Sequence, residues 1–186
     1  KSNRAKYIVG YVGDDMLQKH NQSIQWKQGL SLYDLIVTTK SFNVSELLSM
    51  GARRVEFVNN GYDPEIHKPK KITKKDKKKF GCDIGFIGAW EIERSNSMLF
   101  IANAGIKLHW WGGGWSNIKW RSSSPNLIYE NNALWGPDYA TAINSFDISL
   151  CFLRKINRDL QTCRSVELPA CGSFMLAERT DEHQML

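Results

Sequence analysis

The chain has 186 residues, of which 42% are hydrophobic and 24% are charged, and its formal net charge is +6. This length allows one large domain or parts of two, because domains commonly hold about 100–200 residues. No stretch reaches the roughly 18 apolar residues that a membrane-spanning helix needs, and no signal peptide is recognised, which argues against membrane-spanning and secreted classes.

The four cysteines show neither CxxC spacing nor a nearby histidine pattern typical of zinc sites. Cys151 and Cys171 lie in apolar stretches, so we interpret them as buried free thiols. This usage favours a reducing compartment, and we expect a cytoplasmic protein without a bound metal.

The positive charge is concentrated in one segment. Residues 68–79 contain eight lysines and one aspartate, a local charge of +7, so the rest of the chain carries −1 of the total of +6. Such a run beside prolines is usually a solvated linker, with polyanion binding or peripheral membrane contact as the alternative. We expect no nucleic-acid partner.

The first predicted strand is Lys6 to Asp14, a β-branched and aromatic run that ends in glycine and acids. Asp14 and Asp15 follow its carboxyl end, where ligands bind in open α/β sheets. His20 lies in the polar segment beyond. An isolated histidine in such a segment is usually only solvated, and an acceptor-binding role is the alternative.

A strand at residues 33–39, an amphipathic helix at 41–51 with a glycine stop and a strand at 54–59 come next. The order strand, helix, strand implies a parallel sheet with right-handed crossovers. The lysine-rich stretch at 68–81 is the predicted boundary, and the pattern restarts after it.

After this boundary the sequence predicts a strand from Asp83 to Trp90, a helix at 91–105, and a strand from Lys107 to Trp115 that contains three glycines. Glycine lets backbone approach a ligand closely, and arginine offers a fork to phosphate, so a ligand-binding turn at Gly88 and Arg94 is physically sensible. A plain strand-to-helix turn with a surface arginine is the alternative. No Gly-Lys-Ser/Thr follows the glycine run, so it does not indicate an NTPase phosphate loop.

Further predicted elements are a strand at 126–129, a helix at 139–146 and a strand at 147–153. The stretch NRDLQTCRSVELPACGSFMLAE at 157–178 then reads as a loop, a short helix and a buried strand, with a kink expected near Pro169. Asp159 is placed at the helix entrance and Glu167 within the helix, with Arg164 between them. An anion at the helix start and hydroxyls on the carboxylate would explain this pattern, whereas an N-cap and a solvated Arg-Glu pair are the structural alternatives.

Three segments in order carry a family resemblance: NNGYDP at 59–64, the strand ends with glycines, and RSVELPACGSF at 164–174. They resemble glycosyltransferases of the two-lobed GT-B type, and within these the group 1 enzymes related to spore-maturation CgeB proteins. The resemblance implies an α/β fold with two Rossmann-like parallel-sheet lobes. Residues 1–67 would be the C-terminal part of an acceptor-side lobe, 68–81 a linker, and 82–186 the sugar-nucleotide lobe. The first lobe would be incomplete and the second truncated at its C-terminus.

The resemblance further implies transfer of a sugar from a nucleotide diphosphate to a saccharide, lipid or protein acceptor, with retention of configuration and without a metal or cofactor. A non-catalytic module that binds a nucleotide or polyanion is the alternative. A dinucleotide-dependent oxidoreductase is disfavoured because no strand is followed by GxGxxG. The implied catalytic residues are Asp159 and Glu167, with Glu167 on the ribose. The candidate donor-binding residues are Gly88, Arg94, Gly112, Gly113, Arg158, Arg164 and Glu167, and the acceptor-side candidates are Asp14, Asp15 and His20.

Overall fold

Two parallel sheets organise the part of the chain that this computed structural model describes, residues 6–114 and 124–186. The chain divides into two compact units. Unit 1 holds the residues up to 60 together with residues 153–162. Unit 2 holds residues 61–152 together with residues 163–186.

Unit 1 contains a three-stranded sheet in the order β1-β2-β3, with parallel pairing throughout. Two α-helices and three short 3-10 turns, one of them at Lys155–Asn157, join this sheet. The bounds are β1 Val9–Val12, α1 Ile24–Gly29, β2 Leu35–Thr38, α2 Asn43–Ser49 and β3 Val55–Phe57.

The core of unit 1 lies on one face of its sheet. Ile36 and Val55 are buried there together with Leu47 of α2. On β1 the alternate residues Val9 and Tyr11 are more than half exposed, because successive strand residues point to opposite faces. The alternation of side chains along β1 thus determines which of its residues face the core.

Unit 2 contains a five-stranded parallel sheet in the order β6-β5-β4-β7-β8. Strand β4 lies at its centre, and α-helices connect most of its strands. The bounds are α3 Lys74–Phe80, β4 Cys82–Ile87, α4 Ile92–Asn103, β5 Leu108–Trp111, β6 Leu127–Glu130, α5 Gly136–Ile143, β7 Phe146–Cys151, α6 Arg164–Ala170, β8 Met175–Ala177 and α7 Asp181–Met185.

Both faces of the unit 2 sheet are covered by side chains. The consecutive residues Trp110 and Trp111 are each at most 3% exposed and belong to different apolar clusters. Met98 of α4 packs in the first cluster, and Leu168 of α6 packs in the second. A parallel sheet buried on two faces explains why its strands read as continuous apolar runs.

The structure confirms the predicted strands and helices on both sides of the lysine-rich stretch, with shifts at their ends. Three expectations need correction. The lysine-rich stretch, expected to be a solvated linker, holds helix α3 of unit 2. The run after Gly172 was expected to be buried, but it forms edge strand β8, where Leu176 is 50% exposed. Helix α6 begins at Arg164, so Asp159 lies five residues before it and not at its entrance.

Trp115, predicted as the end of β5, and the connection at residues 116–123 lie outside the described residues. Within residues 6–114 and 124–186, no helix combines the length and apolar character required to cross a membrane.

Candidate functional site

The loops that follow β4 and β5 in unit 2 are in direct backbone contact. The Gly88 N–H donates to the Trp111 carbonyl oxygen at 2.8 Å, and the Trp90 N–H donates to the Gly113 carbonyl oxygen at 3.1 Å. Gly112 has φ +146°, and a Cβ atom there would lie 2.0 Å from the Gly88 carbonyl oxygen. Only a residue without a side chain allows this approach, so the glycines create a bare backbone edge at the carboxyl ends of two adjacent strands.

Arg164, the first residue of α6, reaches this glycine edge. Its Nε donates to the Ile87 carbonyl oxygen at 2.7 Å, and its guanidinium carbon lies 5.7 Å from the centre of the Phe86 ring. A Cβ atom on Gly88 would come within 3.2 Å of the arginine Nη2. The predicted candidates Gly88, Gly112, Gly113 and Arg164 therefore lie together at one end of the unit 2 sheet.

Glu167 lies one helical turn after Arg164, so the two side chains share a face of α6. Its Oε2 accepts a hydrogen bond from the Tyr139 hydroxyl at 2.6 Å, and its Oε1 is 4.0 Å from His67 Nε2. The Glu167 side chain is 18% exposed. Its carboxylate is thus held in place by α5 without being sealed from solvent.

Tyr139 and His67 lie beside Glu167. Burial raises the pKa of Tyr139, and the Glu167 carboxylate raises it further while the Arg164 charge acts in the opposite direction, so the phenol stays a donor. His67 Nδ1 accepts from the Asp63 N–H at 3.1 Å. A neutral His67 ring consequently carries its proton on Nε2, the nitrogen that faces Glu167.

Arg94 lies at the turn that follows β4, and its donor-binding role stays a prediction. Its side chain is 8% exposed, its Nη1 donates to the Ala89 carbonyl oxygen at 3.0 Å, and its Nη2 lies 3.4 Å from Glu91 Oε1. The arginine therefore braces the turn between β4 and α4 from inside. It shares the sheet end with Gly88, but its charge is buried beside a carboxylate.

Asp159 and Arg158 belong to unit 1, whereas Glu167 belongs to unit 2. Asp159 Oδ1 accepts from Lys40 Nζ at 2.6 Å and from Asn157 Nδ2 at 3.0 Å. The Asp159 and Lys40 side chains are only 7% and 5% exposed. Asp159 thus forms a buried ion pair, and its catalytic role stays a prediction.

Arg158 is held by two carboxylates. Its Nε and Nη2 donate to Asp15 at 2.6 and 3.0 Å, and its Nη1 and Nη2 donate to Glu46 at 3.0 and 2.8 Å. Its backbone adopts the left-handed region at φ 47°, and its guanidinium lies 4.4 Å from the centre of the Phe42 ring. The predicted donor-phosphate arginine is therefore committed to carboxylates of its own unit.

The acceptor-side candidates divide into buried and exposed residues. Asp15 is 0% exposed, and its acceptor-side role stays a prediction. Burial alone would raise the pKa of Asp15, but hydrogen bonds from Arg158, Asn43 and Gln18 outweigh it and lower the pKa. Asp14 and His20 are exposed, and their roles stay predictions.

Sequence reasoning did not identify Tyr139 and His67 as partners of Glu167. The available signal for His67 was its place three residues after the NNGYDP segment, and Tyr139 carried only the general signal of a polar tip on an apolar helix face. Neither signal indicates which carboxylate the residue contacts.

Comparisons with known proteins agree with this architecture. Residues 94–186, half of the chain, match the model of a family described as glycosyl transferase-like. The solved structure of HepE from Anabaena, in complex with UDP and glucose, superposes with a TM-score of 0.66 at 12% identity.

That superposition covers 96% of this chain and 55% of HepE, so the chain spans about half the length of that protein. A search of curated proteins gave no match. The likeness confirms the predicted α/β fold of the GT-B type with parallel sheets. From the match over residues 94–186, the chain belongs to the glycosyl transferase-like family.

Proposed function

We propose that this protein transfers a sugar from a nucleotide-diphosphate donor to an acceptor, and that unit 2 binds the donor. The observation that carries the proposal is the meeting of three features at the carboxyl end of the unit 2 sheet. These are the bare backbone at Gly88, Gly112 and Gly113, the guanidinium of Arg164 and the carboxylate of Glu167. Ligands bind at this end of open α/β sheets.

Each feature suits one part of a sugar nucleotide. A diphosphate packs against backbone that has no side chains, and the Arg164 charge stabilises the negative charge that develops on the leaving group. A carboxylate has about four lone-pair sites, and Tyr139 occupies one of those on Glu167. The remaining sites accept hydrogen bonds from the ribose hydroxyls.

The finer assignments are also proposals. We assign unit 1 to the acceptor side, with Asp14 and His20 as its exposed candidates. We propose transfer with retention, without a metal, in a CgeB-like subfamily; the RSVELPACGSF segment supports the subfamily assignment. Analysis of the product anomer tests retention, and an activity assay in EDTA tests metal independence.

The donor site is tested by calorimetric titration with UDP, chosen because HepE was solved with UDP and glucose. Glu167→Ala is expected to weaken UDP binding about 10- to 100-fold, since hydrogen bonds to a charged group contribute about 1.5–3 kcal/mol. Glu93→Ala is the matched control, because Glu93 is an exposed helix residue of the same unit. Equal UDP affinities for the wild type and Glu167→Ala, in a variant with wild-type unfolding, would remove Glu167 from the donor site.

One observation favours the second candidate, a nucleotide-binding module without catalysis. The predicted catalytic residue Asp159 is held in a buried ion pair with Lys40. The two candidates separate in an assay of UDP release from UDP-glucose over a panel of saccharide, lipid and protein acceptors. Saturable UDP binding without release above the uncatalysed rate would favour the binding module.

A further inference from the structure

The lysine-rich segment forms an ordered helix on the surface of unit 2. The Thr73 hydroxyl accepts from the Asp76 N–H at 3.1 Å, and the Asp76 carboxylate accepts from the Thr73 N–H at 3.0 Å. This capping box starts α3, and Phe80, 2% exposed, anchors its end in the core. The helix therefore determines the side from which each lysine projects, unlike in a solvated linker.

Two lysines of α3 contact the body of unit 2. Lys77 Nζ lies 2.9 Å from Asp147 Oδ1 and 2.9 Å from the Ser145 carbonyl oxygen. Lys79 Nζ lies 3.3 Å from Asp138 Oδ2. At about 100° per residue, these two side chains leave the helix on opposite flanks.

The outward face between those flanks carries Lys74, Lys75 and Lys78, which are exposed. Together with Lys71 they have no carboxylate partner among residues 6–114 and 124–186. The eight lysines of residues 68–79 face four neighbouring acids, which are Glu65, Asp76, Asp138 and Asp147. Four positive charges consequently remain uncompensated on this surface.

An exposed tryptophan adjoins this charge. Trp135 immediately precedes α5 and is 80% exposed. Lys70 Nζ donates to the Pro137 carbonyl oxygen at 3.2 Å, and Lys79 pairs with Asp138, so both lysines contact the start of α5. Indole rings prefer the boundary between lipid headgroups and acyl chains, where the ring is buried while its N–H stays wet.

We infer that unit 2 docks on an anionic lipid surface through a basic face made of Lys71, Lys74, Lys75 and Lys78 with Trp135 beside it. Charge complementarity supports this partner, since lysine clusters on a helix are attracted by the negative potential of anionic bilayers. Residues 68–79 contain no arginine, the residue that nucleic-acid sites use for bidentate contacts to phosphate and bases. Lysine point charges suit the diffuse potential of a lipid surface better. None of Lys71, Lys74, Lys75 and Lys78 belongs to the proposed donor site.

The test is co-sedimentation of the full chain with vesicles of phosphatidylcholine alone or mixed with phosphatidylserine. The wild type is expected to bind only the mixed vesicles, less strongly as salt rises. The triple variant Lys74→Gln, Lys75→Gln, Lys78→Gln is expected to bind about 100-fold more weakly, because each lysine near such a surface contributes about fivefold.

A matched triple variant, Lys19→Gln, Lys27→Gln, Lys107→Gln, removes the same charge from exposed positions elsewhere. It is expected to bind vesicles within a few-fold of the wild type. Equal losses in the two triple variants, or no wild-type binding to mixed vesicles, would overturn the inference. Binding to single-stranded RNA that the α3 variant abolishes, without vesicle binding, would overturn it in favour of nucleic acid.

Trp135→Ala tests the anchor separately. It is expected to lower partitioning onto mixed vesicles several-fold while leaving the salt dependence unchanged. Unchanged partitioning would exclude Trp135 from the docking face. Since UDP titration does not involve α3, failure of vesicle binding and failure of donor binding are distinguished by the two assays.

Discussion

Gly112 is the position where the structure predicts the sharpest effect of adding one methyl group. In Gly112→Ala the new Cβ would lie 2.0 Å from the Gly88 carbonyl oxygen and 2.7 Å from the Gly88 carbonyl carbon. Both are backbone atoms, and the Gly88 N–H is held by the Trp111 carbonyl oxygen. Ordinary contact needs 3.4 Å, so the two strand ends must separate by about 1.4 Å.

The expected cost combines two terms. Overpacking against fixed atoms costs about 1–3 kcal/mol, and φ +146° in a residue with a side chain costs about 1–3 kcal/mol more. We expect the free energy of unfolding of unit 2 to fall by about 2–6 kcal/mol. Gly113→Ala is the matched control, because its Cβ would meet no atom within 4 Å, and we expect a change below about 1 kcal/mol.

Urea unfolding followed by tryptophan fluorescence and circular dichroism measures both variants. Trp110 and Trp111 adjoin the affected loop, so fluorescence reports on unit 2. In thermal scans, each kcal/mol corresponds to about 2–4 °C in a chain of this length. Equal urea midpoints for Gly112→Ala and Gly113→Ala would show that the two strand ends separate without cost, and the close approach would then not explain the glycine.

Three further predictions concern the polar networks. Arg158→Met leaves the Asp15 charge buried and unpaired, so we expect urea unfolding to show a loss of about 3–5 kcal/mol in unit 1. Burial acts to raise the pKa of Asp15, but hydrogen bonds, above all the one from Arg158, outweigh it and lower the pKa. The pKa of Glu46 is also lowered, chiefly by its hydrogen bonds from Arg158. In the unfolded chain these two carboxylates take up protons near their ordinary pKa values of 3.8 and 4.5, whereas in the folded protein they do so only at lower pH. The free energy of unfolding of the wild type should therefore decrease as the pH falls below about 5. Urea midpoints between pH 7 and 3 test this, and a flat profile would contradict it. Tyr139→Phe removes the hydrogen bond to Glu167, and calorimetry should show UDP affinity about 10-fold lower; unchanged affinity would mean that Tyr139 does not position the carboxylate.

Local sequence signals were sufficient to predict the strands and helices of this protein. Apolar runs followed by glycine or acids predicted the strands, and the alternation of strands with amphipathic helices predicted parallel pairing. Each of these signals depends on residues close together in the chain. The donor-site roles of Gly88, Gly112, Gly113, Arg164 and Glu167 were implied by the family resemblance, which also rests on short motifs within the sequence.

The direction of the charged side chains was decided by tertiary structure. Arg158 meets Asp15, 143 residues away, and Asp159 meets Lys40, 119 residues away. A basic or acidic residue beside a motif has the same local sequence whether it faces a ligand or a distant ion-pair partner. The sequence-based prediction assigned Arg158 to donor binding and Asp159 to catalysis, and the fold places both in ion pairs of unit 1.

The lysine run at residues 68–79 and the glycine run at residues 112–114 also separate what the sequence determines from what packing determines. Composition located the charge at residues 68–79 and the bare backbone at 112–114. Packing decided that Lys77 and Lys79 reach acids while Lys74, Lys75 and Lys78 point outward, and that Gly112 is the glycine pressed against Gly88. The amino-acid sequence by itself determined the periodicity and hence the elements. The contacts between distant elements came from the tertiary structure alone, because their energies depend on neighbours that no local window contains.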